Sequence, residues 1–130
     1  MRVIVTALVV VAVAAGCRGD GTQYSRGDVT RAFRSEGIQL TSGLAMPNAR
    51  VVFPKKNDGE DLLVPNSGGS FLVLLFNSEK RAASAFQALT GQATRDTFDL
   101  RQRNIVVTSD EGVSPAVRKR IRRALARLAA

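Results

Sequence analysis

Phe71-Leu72-Val73-Leu74-Leu75-Phe76 is apolar at every position, with Pro65-Asn66-Ser67-Gly68-Gly69 before it and Asn77-Ser78 after it. A short apolar run between turn signals reads as a strand buried on both faces, and such a strand is central to its sheet. Outward from this run the period of the pattern changes. Asn77-Ser78-Glu79 supplies cap residues and an acid for the positive end of a helix dipole. Ala82, Ala85, Phe86 and Leu89 then form one stripe, which Gly91 closes, so the spacing predicts a helix over about 78–90.

Further on, Thr97-Phe98-Asp99-Leu100-Arg101 alternates as a strand, Gln102-Arg103-Asn104 turns, and Ile105-Val106-Val107-Thr108 is β-branched. Ser114-Pro115 pairs a capping hydroxyl with proline at the first helical position. Val117, Ile121, Leu125 and Leu128 continue on one face and predict a helix over about 115–128.

Towards the N-terminus, Asp61-Leu62-Leu63-Val64 is expected to fold back through the Asp58-Gly59 turn onto a short strand, Val51-Val52-Phe53, which Pro54 ends. Ile38-Gln39-Leu40-Thr41 alternates as a half-buried strand. Asp28 as N-cap, Val29, Ala32 and Phe33 on one face, and Gly37 past the end predict a helix over about 28–36. Three helices and four to six short strands make an α+β fold, with a mostly antiparallel sheet and the helices on one of its faces. The folded unit is expected to be a single domain over 28–130.

The 130-residue chain has 19 Lys and Arg, 11 Asp and Glu, no His, no Trp and one Cys. One cysteine makes no intrachain disulfide, and without His the Cys/His zinc sites and His-based nucleophile systems are excluded. The charge is uneven. From Asp28 to Val117 ten cations meet ten acids, whereas Arg118, Lys119, Arg120, Arg122, Arg123 and Arg127 crowd the last helix with no acid. That helix is a candidate surface for anionic lipid or cell-wall polymer, or for an acidic partner protein. Cations near a helix C-terminus also favour the dipole and solubilise a surface, which is the plainer account of the same residues. Nucleic acid is disfavoured, because no aromatic residue interleaves the cations.

Residues 3–15 form an unbroken apolar and small-residue run after Met1-Arg2, with Thr6 its only hydroxyl. Thirteen residues span roughly 20 Å as a helix, short of a bilayer's core of about 30 Å, so a secretory signal peptide over 1–16 is expected. Ala14-Ala15-Gly16-Cys17 resembles the lipobox of bacterial prolipoproteins. The resemblance implies cleavage between Gly16 and Cys17, diacylglycerol on the Cys17 sulfur, and an extracytoplasmic protein held at the cell membrane by its lipid. The body resembles the short lipoproteins of high-GC, actinobacteria-like genomes. Residues 17–27, polar and Gly-rich, read as a lipidated flexible spacer.

The remaining candidates are weak. Arg18-Gly19-Asp20 and Arg26-Gly27-Asp28 match an adhesion tripeptide, at high chance frequency in such a composition. Asn57 with Asp58-Gly59-Glu60-Asp61 lacks the alternation of a calcium loop and reads as a solvated turn. Asn66-Ser67-Gly68-Gly69-Ser70 precedes a strand, whereas a phosphate loop precedes a helix. Tyr24 and Ser25 have no base nearby, and the carboxylates are scattered. No catalytic residue, metal or cofactor is expected. The sequence points to a binding or interaction module tethered at Cys17, with the basic helix the alternative seat of function and a small enzyme the least favoured.

Overall fold

The structure, a computed structural model, describes residues 23–43, 54, 59–66 and 71–130. In chain order the elements are α1 (Arg26–Arg34), β1 (Leu40–Ser42), β2 (Asp61–Pro65), β3 (Leu72–Leu75), α2 (Glu79–Thr90), β4 (Phe98–Gln102), β5 (Ile105–Ser109) and α3 (Pro115–Ala129). The five strands form one sheet in the order β1-β2-β3-β5-β4, every neighbouring pair antiparallel. The α+β fold expected from the sequence is thus present, with the all-apolar segment in the middle strand.

Register sorts the side chains into two rows. Leu63, Val73 and Val107 stand opposite one another on one face, and Leu62, Leu74 and Val106 on the other. The first row belongs to a core closed by Val29 and Phe33 of α1 and Ile121, Ala124 and Leu125 of α3. The second packs against Ala82, Ala85 and Leu89 of α2. The helices therefore lie on both faces, correcting the arrangement with all three on one. The reason is physical: a strand apolar at every position leaves about 1.5–3 kcal/mol per large side chain unrealised on any face left uncovered. Topology agrees. β5 lies between β3 and β4, so the chain passes from β3 to β4 over one face, and α2 occupies that crossing.

The folded body also begins before Asp28. Tyr24, expected in the spacer, is buried, and the N-cap of α1 is Ser25 rather than Asp28. Asp28 sits three residues inside the helix and completes a capping box. The Ser25 hydroxyl accepts from the Asp28 backbone N–H at 3.1 Å, and the Asp28 carboxylate accepts from the Ser25 N–H at 3.1 Å. Asn104, fully buried in the β4–β5 turn, holds this entry point. Its Oδ1 accepts from Tyr24 N–H at 2.9 Å, while its Nδ2 donates to the carbonyls of Tyr24 at 3.0 Å and Phe76 at 2.9 Å.

Gly37 has the positive φ, 79°, that the sequence reading assigned to the residue past α1. β2 pairs with β1 and β3. The expected strand 51–53, most of the Asp58-Gly59 turn, the segment 67–70, the signal peptide and Cys17 lie outside the described residues.

Candidate functional site

The basic residues predicted on the last helix all belong to α3 and are exposed. With Ile121, Ala124 and Leu125 facing the sheet, the helical period places Lys119, Arg123, Ala126 and Arg127 on the outward side. Arg118 and Arg122 flank it on one side and Arg120 on the other. The two flanks are fastened differently.

On the sheet side, Arg118 and Arg122 lay their guanidinium groups over the Phe98 ring, 5.2 and 5.9 Å from its centroid. Arg118 also donates from Nε to the Val113 carbonyl at 2.9 Å. Their stems help bury Phe98 at the edge strand β4 while the charged heads stay in water. On the other side, Arg127 donates to Glu36 at 2.8 Å and Arg123 stands 3.9 Å from the same carboxylate. Glu36 follows Ser35, the C-cap of α1, and its side chain is only 8% exposed, so one shielded acid clamps two cations and joins α3 to the end of α1. Gln102 adds a third fastening, donating to the Leu125 carbonyl at 2.7 Å.

This joining enlarges the cationic surface beyond α3. Arg31 and Arg34 lie opposite the buried Val29, Ala32 and Phe33 on α1, and Arg26 opens the helix. Together α1, its following turn and α3 carry nine cations against two acids, Asp28 and Glu36. The other described residues carry five cations against seven acids. In sequence Arg31 and Arg34 fell within a neutral stretch, and Arg26 lay before it. Folding sets them beside α3, with Arg31 keeping Asp28 and Arg26 pairing with Asp61. The outward phase of Arg31 and Arg34 against Val29, Ala32 and Phe33 was the available signal.

Within this layer Asp28 is held below the ordinary carboxyl pKa. The Ser25 backbone N–H is the main cause, then the Ser25 hydroxyl, with Arg31 adding its charge and a 3.2 Å bond. Between the helices an open groove of about 490 Å³ is walled by Gln23, Tyr24, Asp28, Arg31, Arg127 and Leu128, among others.

A second cleft, also about 490 Å³, lies on the opposite side of Tyr24 and contains Glu60 and Asp61. Here the sequence reading is corrected: Glu60 is not in a solvated turn but is buried. It receives two bonds from the Arg81 guanidinium, one at 2.8 Å, and a third from Asn77 N–H at 3.0 Å. The carboxylate thereby ties the start of β2 to the start of α2. Arg81 also lies over Phe76 at 5.5 Å. Asp61 is paired with Arg26 at 3.0 Å. Both carboxylates of the cleft are thus committed to arginines. Nothing in the spacing of Glu60 and Arg81, 21 residues apart, foretold their meeting.

Among the described residues no group of three acids, His or Cys is placed to hold a metal ion, and no helix is long and apolar enough to cross a membrane. Compared with models of known families, with curated proteins and with solved structures, the chain matches none.

Proposed function

We propose that this chain is a membrane-tethered extracytoplasmic lipoprotein whose folded body is a non-catalytic binding module. The observation that carries the reading is positional: the chain's one cysteine stands directly after Ala14-Ala15-Gly16. An exposed free thiol is a liability in an oxidising compartment, whereas a thioether-linked lipid is inert there. More than one acyl chain gives stable anchoring, since each buried CH₂ contributes about 0.8 kcal/mol. The non-catalytic reading is supported by the cleft carboxylates, Glu60 and Asp61, both neutralised by arginines.

Intact-mass spectrometry of the protein from the membrane fraction tests the tether. Expected is a chain starting at Cys17 with the added mass of a diacylglycerol. Cys17→Ser should block acylation and cleavage before residue 17. A Cys17→Ser protein processed like the parent and retained at the envelope to the same extent would overturn the reading.

A further inference from the structure

We propose that the α1–α3 layer is the surface that this tethered protein lays on its own membrane, seated on anionic lipid headgroups. The inference rests on the lipoprotein reading and adds an orientation and a partner.

Charge selects the face. Nine cations against two acids on α1–α3, where the other described residues carry five against seven, concentrate the positive charge on that face. Of these nine, Arg26 alone is paired to a described acid outside the face, Asp61. Arg34, Lys119 and Arg120 have no side-chain hydrogen bond or ion pair among the described residues, so their charges are free for an external anion. The layer is also rigid, because Glu36 bridges the helices and Gln102 fixes α3 to the sheet.

The tether brings that face to the bilayer. The described chain enters the fold at Gln23 and Tyr24, which wall the groove between α1 and α3 on one side and the second cleft on the other, with Asn104 holding Tyr24 from the second cleft. Cys17 is six residues from Gln23. Whatever path the chain takes, six residues span at most about 21 Å. The cationic layer therefore lies next to the point of attachment. A headgroup surface attracts juxtamembrane cations, and each one contributes about fivefold to the docking equilibrium. A soluble polyanion shares the chemistry but gains nothing from this proximity, which favours the membrane.

The acylated full-length protein, purified from membranes and reconstituted in vesicles, provides the test. A fluorophore is placed at Ala126→Cys, on the outward side of α3, or at Gln87→Cys, on exposed α2. Lipids with a nitroxide on the headgroup act as quencher. In phosphatidylglycerol-containing vesicles the Ala126 position should be quenched and the Gln87 position should not. The difference should vanish in pure phosphatidylcholine and in molar salt, where the Debye length is about 3 Å. Changing Arg34, Lys119 and Arg120 to Gln touches no described intramolecular bond and should weaken docking on the order of 100-fold.

Equal quenching at the two positions, or no response to lipid charge, would overturn the proposal. So would a layer that polyphosphate protects while phosphatidylglycerol has no effect, since the face would then belong to a soluble polyanion. Intact mass of the same sample reports acylation separately. A missing lipid removes the lipoprotein reading, whereas a lipidated protein with no preferred face removes this one alone.

Discussion

Replacing Asn104 by Ala should loosen the place where the chain enters its fold. The side chain is 1% exposed and makes three hydrogen bonds, two to Tyr24 and one to the Phe76 carbonyl. Each such bond contributes about 0.5–1.5 kcal/mol net, and stranded backbone groups cost more when water does not reach them. A loss of about 3 kcal/mol follows, toward the lower end if water fills the vacated space. In urea, where a small domain has an m value of about 1–3 kcal/mol/M, the midpoint should fall by roughly 1–3 M. The assay is built into the chain, because Tyr24 is its only tyrosine and there is no tryptophan. Intrinsic fluorescence therefore reports the entry point and nothing else. Before global unfolding, the Asn104→Ala protein should already show greater acrylamide quenching of Tyr24. A stability change under about 0.5 kcal/mol with unchanged quenching would refute the assignment of Asn104 as the pin.

Four further expectations concern other contacts. Glu60→Ala leaves the Arg81 guanidinium facing a partly buried void and should cost about 3 kcal/mol in chemical denaturation. The Glu60→Ala, Arg81→Ala double variant should lose clearly less than the sum of the singles. Gly112→Ala puts a side chain at φ 79° and a Cβ 2.9 Å from the Asp96 carbonyl oxygen, which should lower stability by about 1–2 kcal/mol in the same assay. Ser25→Ala should cost about 1 kcal/mol of thermal stability through loss of the cap. In the parent, Asp28 has a lowered folded pKa, so its contribution is present above its unfolded value near 3.8 and disappears as pH falls through the folded one. Asp28→Asn should flatten that acid limb of a Tm-against-pH curve, and an unchanged limb would contradict the capping box.

The all-apolar segment 71–76 identified the middle strand, and its two-sided burial also contained the answer to helix placement. A strand with no polar face needs cover above and below, so helices on a single side were inconsistent with it from the start. Other features were beyond local pattern. Asp28 looked like an N-cap because it precedes Val29, but Ser25 three residues earlier completes a reciprocal pair that Asp28 alone does not make. Tyr24 looked like part of a polar spacer because its neighbours are Gly, Gln and Ser, and its partner Asn104 is 80 residues away. The cations of α3 were legible as a block. Their continuation onto α1 depended on Glu36 meeting Arg127 across 91 residues, a separation that periodicity does not reach.

That separation has a consequence for how the chain acquires its shape. Helices α1 and α3 share one core, Val29 and Phe33 with Ile121 and Leu125. During synthesis from the N-terminus, the sheet face that α3 completes therefore stays bare until residues 115–129 have been made. A core closed by elements so far apart in the chain cannot be completed by either half of it alone.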